Sequence, residues 1–131
     1  MQTRTATCVC GQLRVTCDGE PARVVLCNCT QCQRRTGSVY SVAAYFDRER
    51  VSNEGSFKRF QRSSDAGRRM DFAFCPECGS TVFWDIELWP ESIGVAVGAF
   101  VDAGFPAPHV AVWTAHQHHW VTLPESIPHR S

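Results

Sequence analysis

The chain has 131 residues, is 44% hydrophobic and 20% charged, and balances 13 Lys and Arg against 13 Asp and Glu for a formal net charge of zero. Those figures exclude an intrinsically disordered chain, and they supply no overall attraction to nucleic acid or to an anionic membrane. The length fits one domain, 1–131, with a core large enough to need no disulfide staples.

In chain order, residues 1–6 read as a loose end without an apolar signal core. Leu13, Val15 and Cys17 alternate with polar neighbours and predict a half-buried strand over 13–17, with Cys17 facing inward as a small core residue. A valine-rich run predicts a second strand over 22–26. Residues 30–35 predict one short turn of helix with Thr30 as its N-cap. Further strands are predicted over 41–46, 57–60, 71–74, 81–84, 93–100 and 110–113, and 124–131 reads as a loose tail. Breakers separate them at 18–21, 53–55, 63–67 and 104–108. Phe57, Phe60, Phe72, Phe74, Phe83 and Trp84 read as core or sheet-face residues, Trp120 as core or pocket wall, and Asp102 as a turn former. The pattern is all-β, with about eight or nine short strands. No run approaches the ~18 apolar residues of a membrane span, so a soluble, cytoplasmic protein is expected.

In that compartment thiols stay reduced, and the eight cysteines point to metal rather than to disulfides. They fall into three clusters, Cys8-Val-Cys10-Gly11, Cys27-Asn-Cys29-Thr-Gln-Cys32 and Cys75-Pro-Glu-Cys78-Gly79, with Cys17 alone. A Cys-x-x-Cys turn ending in glycine turns both sulfurs to one side, because Gly79 can take the positive φ that the turn needs. Cys75 and Cys78 therefore make half of a tetrahedral zinc site, and Cys8 and Cys10 are the natural complement. In an extended strand residues i and i+2 point the same way, and a bend at Gly11 would draw the thiolates together. Four ligands close the site, so its zinc is structural. The competing reading of Cys75 and Cys78 is a redox pair, but no βαβ unit accompanies them. Cys27, Cys29 and Cys32 remain. Three thiolates with one open position is the pattern of a catalytic zinc; a nearby residue completing the tetrahedron, or an empty site that oxidises, are the alternatives.

These clusters, in this order, resemble the glutathione-dependent formaldehyde-activating family, which also includes the centromere protein V domain. The resemblance extends to Arg34-Arg35-Thr36-Gly37-Ser38, to Gly98-Ala-Phe-Val-Asp102, to Pro108-His109-Val110 and to Trp120, and so spans about residues 8–124. It implies an Mss4-like fold of short antiparallel sheets around a structural zinc held by Cys8, Cys10, Cys75 and Cys78. It implies a second, catalytic zinc on Cys27, Cys29 and Cys32. The implied activity is addition of glutathione to formaldehyde, or carbon–sulfur lysis in the reverse direction, with a small thiol such as glutathione as partner. Asn28 stands where the family commonly has histidine; its amide can donate a hydrogen bond but cannot carry a proton.

The chemistry suits such ligands. A zinc-bound thiol loses its proton near neutral pH, and the thiolate can attack an electrophilic carbon or leave from one. Arg34 and Arg35 follow the second cluster and either hold the carboxylates of an anionic thiol or form a solvated face. Arg68 and Arg69 read as surface. His116, His118 and His119 read as loop histidines, with a role near the second zinc as the alternative. The competing function is a non-catalytic zinc module that binds a protein or nucleic acid; zero net charge and the lack of a basic run argue against nucleic acid.

Overall fold

The computed structural model describes residues 2–131. Its strands are β1 (Thr3–Thr7), β2 (Arg14–Asp18), β3 (Arg23–Cys27), β4 (Ser41–Asp47), β5 (Val51–Glu54), β6 (Lys58–Ser63), β7 (Arg69–Phe74), β8 (Thr81–Ile86), β9 (Ser92–Ala96) and β10 (Val110–Val112), and its helix is α1 (Thr30–Thr36). The fold is thus mainly β, as the residue patterns predict. No helix among the described residues is long and apolar enough to cross a membrane.

Two sheets form. One has three strands in the order β1-β2-β5; the other has seven, in the order β10-β3-β4-β9-β8-β7-β6. Among the described residues the strands pair antiparallel except β3 with β10, which run parallel with Cys27 opposite Val112, and an isolated parallel bridge joins Ala111 to His129. The two sheets share the largest core. Leu13, Val15 and Cys17 from β2 and its approach pack with Val24, Ala44, Phe46, Val95 and Phe83 from the large sheet. Cys17 is fully buried there, as its alternation implies. That burial, and then the nearby Asp18 carboxylate, push its thiol up to about 12.

Alternation divides the large sheet between two jobs. Val24, Ala44, Phe46, Ala73 and Val95 point back to the shared core, whereas Ala43, Tyr45, Phe72, Trp84 and Ile86 form a second apolar layer on the front. Gly94 on β9 lies under this front layer. A Cβ there would fall 2.3 Å from Trp84 Nε1 and 2.8 Å from Tyr45 Cε1. Both rings therefore sit directly against backbone, where the Trp84 indole donates to the Tyr45 hydroxyl at 3.2 Å.

Several expectations change. Residues 3–7 are not loose: they pair with β2 in register Thr3 to Asp18 through Thr7 to Arg14. Their sequence hides this, since only Ala6 of the five is buried. The tail is also held, by hydrogen bonds from Ala111 N to Pro128 O at 3.0 Å and from Arg130 N to Ala111 O at 2.8 Å. β5 is largely exposed and carries no alternating apolar signal. The expected strand over 93–100 stops at Ala96, and Val97–Phe100 turns as a 3-10 segment into Val101, whose φ is +51°. Phe60 and Trp120 are exposed, at 58% and 64%, because β6 is the sheet edge and Trp120 follows the last 3-10 turn on the surface. Asp102 does form a turn, accepting from Gly104 N at 2.9 Å.

A satellite core of Leu26, Ala111 and Leu123 fastens the C-terminal segment to β3. Leu123→Ala should cost about 2–3 kcal/mol, the low end for a buried leucine. Urea denaturation followed by circular dichroism measures it, and a loss below about 0.5 kcal/mol, the range of surface substitutions, would mean that this segment contributes little.

Candidate metal centres

Two groups of thiols come together. The Sγ atoms of Cys8, Cys10, Cys75 and Cys78 lie within 4.8 Å of one another, and so do those of Cys27, Cys29 and Cys32. All eight cysteines are free of disulfides.

The four-cysteine group is built from two turns. β1 ends at Thr7, so Cys8 and Cys10 are not on a strand as their i, i+2 spacing suggests. Instead Cys8 N donates to Leu13 O at 3.0 Å and Gly11 N to Cys8 O at 3.1 Å, with Gly11 at φ +85°. The second turn joins β7 to β8 and repeats the design: Cys75 N donates to Ser80 O at 2.9 Å and Gly79 N to Cys75 O at 2.8 Å, with Gly79 at φ +79°. Cys10 Sγ is 3.6 Å from Cys8 Sγ and 3.7 Å from Cys75 Sγ. Tetrahedral zinc with 2.3 Å bonds spaces its sulfurs by about 3.8 Å, so this donor set fits the ion.

The surroundings fit it too. Four thiolates around Zn²⁺ carry a formal charge of about −2, which hydrogen-bond donors offset. Leu13 N donates to Cys8 Sγ at 3.3 Å, Glu77 N to Cys75 Sγ at 3.4 Å and Gln12 Nε2 to Cys75 Sγ at 3.0 Å. Ser80 Oγ lies 3.3 Å from Cys78 Sγ and accepts from Val9 N at 3.1 Å, which ties the two turns together. Hydrogen bonds from the side chain and backbone of Ser80, then from the Cys10 backbone, pull the Cys78 thiol down to about 5. Gln12 spans further. Its amide donates to Ser56 O at 2.7 Å and accepts from Ser56 N at 2.9 Å, which anchors the turn after β5. Gly55 makes this possible, since a Cβ there would lie 2.0 Å from Gln12 O.

The three-cysteine group sits where β3 passes into α1. Cys27 ends the strand and Cys32 lies in the helix. Cys29, not Thr30, is the N-cap: its backbone is extended and its Sγ accepts from Cys32 N at 3.3 Å. A thiolate thus does the work usually given to a hydroxyl or carboxylate. Gly37 closes the helix at φ +69°, donating to Gln33 O at 2.8 Å. Asn28 is fully buried between the cysteines. Its Nδ2 donates to Val112 O at 3.0 Å, which locks the cysteine loop to β10. Gln33 Nε2 adds a bond to Asn28 O at 2.8 Å and one to His116 O at 3.2 Å. Cys32 is the thiol best held as thiolate. Hydrogen bonds from Cys27 and Cys29 lower it most, with Ser41 and the Arg35 guanidinium adding to them against the effect of burial. Cys27 moves up in return, through Cys29, Cys32 and burial.

These three cysteines line a cavity of about 280 Å³ on the front of the large sheet. Tyr45, Phe72, Trp84, Trp89 and Trp113 supply aromatic walls. Trp113 holds a left-handed backbone at φ +54°, a strained conformation of the kind that collects at functional sites. Arg35 also lines the cavity, its guanidinium 4.9 Å from the Phe72 ring centre and 4.7 Å from that of Trp84. Arg34 is exposed and does not. Arg68 and Arg69 are both exposed, as expected, and Arg68 also borders the mouth of the cavity with Arg62. His116, His118 and His119 are exposed. His118 reaches Gln33 Oε1 at 2.9 Å, and none of the three joins the cysteines. Phe72 and Trp84 are the sheet-face residues their spacing predicts, but their gathering with Tyr45, Trp89 and Trp113 on one wall, and the place of Arg62 beside it, have no local signal in the sequence.

The sequence pattern of the glutathione-dependent formaldehyde-activating enzymes matches residues 3–116. The chain belongs to this family. No curated protein matches it. Among solved structures it is similar to a Rhodobacter sphaeroides protein determined by the Northeast Structural Genomics effort, at 20% identity and a TM-score of 0.58, over 95% of this chain and 98% of that one. That likeness concerns the fold. Both cysteine groups of this family member can bind metal.

The clamp around Cys75 gives a direct test. Gln12→Ala and Gly55→Ala should each weaken zinc retention about 10–100-fold, the usual effect of removing a group that holds a metal ligand. Competition with a chromogenic chelator reads this out. Unchanged retention in both variants would show that Gln12 is a bystander. Cys17, buried and held as a thiol, should resist iodoacetamide at pH 8 in the folded, zinc-loaded protein and react once it is unfolded; mass spectrometry of the peptides decides.

Proposed function

We propose that the protein is a zinc-dependent carbon–sulfur lyase of the glutathione-dependent formaldehyde-activating type, acting on the adduct of an aldehyde with glutathione or a related small thiol. The observation that supports this best is the trio of Cys27, Cys29 and Cys32 on the cavity wall. It gathers three sulfurs and, among the described residues, no fourth His, Cys, Asp or Glu. Catalytic zinc sites have this form, with three protein ligands and one position left for a reactant. The four-cysteine group, by contrast, offers a closed set and would hold a structural ion.

A zinc ion on the trio would keep a reactant thiol deprotonated near neutral pH. The chain's own groups do the rest. The bond from Cys32 N to Cys29 Sγ and the Asn28 amide bond to Val112 O fix the ligands before substrate arrives. The aromatic walls exclude water, which strengthens every charge interaction beside the sulfurs. The Arg35 charge would offset the net charge of about −1 of three thiolates on Zn²⁺, and it favours the thiolate at Cys32. In the synthetic direction the thiol sulfur bonds to the carbonyl carbon and the thiol proton ends on the carbonyl oxygen; lysis reverses both changes. Asn28 cannot relay that proton, since an amide does not titrate in this range. Its buried bonds make it a positioning residue.

Metal analysis of two variants separates the sites. Cys75→Ser should lose one zinc together with the fold or its solubility, whereas Cys27→Ser should lose one zinc and keep the circular dichroism spectrum of the parent. Retention of both ions by Cys27→Ser would remove the trio from the account. Cobalt-loaded protein then tests for chemistry: glutathione should perturb the thiolate-to-metal bands, and the two-zinc protein should accelerate formaldehyde–glutathione exchange measured by NMR over a no-protein control. Silence in both would favour a non-catalytic zinc module.

A further inference from the structure

The cavity beside the three cysteines is shaped for something other than the smallest aldehyde. Formaldehyde is a single carbon, and glutathione is polar along its whole length. Neither calls for a wall made of Tyr45, Phe72, Trp84, Trp89 and Trp113. Burying apolar surface is what such walls do well, at about 25 cal/mol per Å². The space is also sizeable. An apolar cavity of about 150 Å³ suffices for a benzene ring. The 280 Å³ here accommodates one ring with a short side chain, or two fused rings.

The floor is set by Gly94. With no Cβ at that position, Trp84 and Tyr45 sink against the β9 backbone and leave the volume open above them. Arg35 lies over the Phe72 and Trp84 rings and Arg23 over Trp89 at 4.0 Å, so these rings offer a flat guest their edges and uncovered sides.

Charge adds a second feature. Arg35, Arg62 and Arg68 line the same cavity, against a single carboxylate, Asp65. None of these three arginines forms an ion pair among the described residues. Arg62 lies 5.3 Å from the Phe72 ring centre and spends one N–H on Ser63 O at 3.2 Å. Arg35 keeps a buried Nε without a hydrogen-bond partner. Guanidinium groups prefer the bidentate geometry of a carboxylate, and here most of their donors stay available for one.

We propose that the cavity takes an aromatic carboxylate, a flat apolar body against the tryptophans with its acid group at Arg62 and Arg68. Resting on the lyase reading above, this body is the carbonyl half of the adduct, because a polar tripeptide thiol cannot fill an apolar space. The substrate class is therefore an aromatic aldehyde acid; formaldehyde would reach the cysteines but leave the apolar wall uncovered.

The test needs no turnover. Zinc-loaded protein is titrated with 3-phenylpropionate, propionate and 3-phenylpropanol, by calorimetry and by tryptophan emission. Phenylpropionate should bind at least ten-fold tighter than propionate and several-fold tighter than the alcohol. In the double variant Arg62→Gln, Arg68→Gln the preference for acid over alcohol should vanish while alcohol binding stays as in the parent. Equal affinity for phenylpropionate and propionate would overturn the aromatic body. Equal affinity for acid and alcohol, or an acid preference untouched by the double substitution, would overturn the arginine contact. The cobalt spectrum keeps the two readings apart. A thiol-responsive spectrum without phenylpropionate binding sinks this inference alone; phenylpropionate binding with a thiol-silent spectrum sinks the lyase reading and the guest's part as carbonyl substrate, and leaves the aromatic carboxylate site standing.

Discussion

Cys10 and Cys75 are 65 residues apart in the chain, and their sulfurs stand 3.7 Å apart in space. Everything else in the fold is arranged around that junction of two turns. The first turn leads from β1 into β2, the second from β7 into β8, so the junction fastens the small sheet to the large one. Cys8 and Cys75 are themselves part of the core that the sheets share. Closing so long a loop costs the unfolded chain much of its freedom, and a metal that closes it stabilises the folded state accordingly. Ser80 and Gln12 carry the junction outward: the hydroxyl bridges the two turns and the amide reaches the β5 turn at Ser56.

The large sheet then has one covered face and one open one. Its back meets β2 and the closed cysteine group; its front carries aromatic rings, arginines and the second cysteine group. The shared core and the cavity thus fall on opposite sides of the same strands by the simple alternation of side chains. β4 illustrates this residue by residue, with Val42, Ala44 and Phe46 behind and Ser41, Ala43 and Tyr45 in front. A change in the cavity can therefore be tolerated without loosening the junction behind it.

Much of this was legible in the chain. The cysteine spacing marks which thiols gather, since a turn of that length with glycine at Gly11 or Gly79 has few other ways to fold. Strands with alternating apolar residues, such as β2 and β4, announce themselves. The misses have a common cause: structure held by hydrogen bonds rather than by apolar contrast. β1 and β5 pair with β2 while burying little, and the tail near Pro128 is held by backbone bonds to Ala111. The helix cap was misplaced for a related reason. Cysteine is read as a ligand, yet Cys29 also caps α1 with its sulfur, and Thr30 simply begins the helix. The arginines at the cavity were hidden because Arg62 and Arg68 flank a turn, and nothing local says which way that hairpin leans.

The parallel pairing of β10 with β3 has a consequence in time. Val112 faces Cys27 across the sheet and Trp113 closes the cavity, so the second cysteine group is enclosed only after the segment beyond residue 110 has been made. The four-cysteine junction, in contrast, has all its ligands once residue 78 is present. During synthesis the chain can therefore gather its four-cysteine group while the other three thiols still face solvent. Metal entry and protection from oxidation at the three-cysteine group would fall late, in a nascent protein that already has most of its strands.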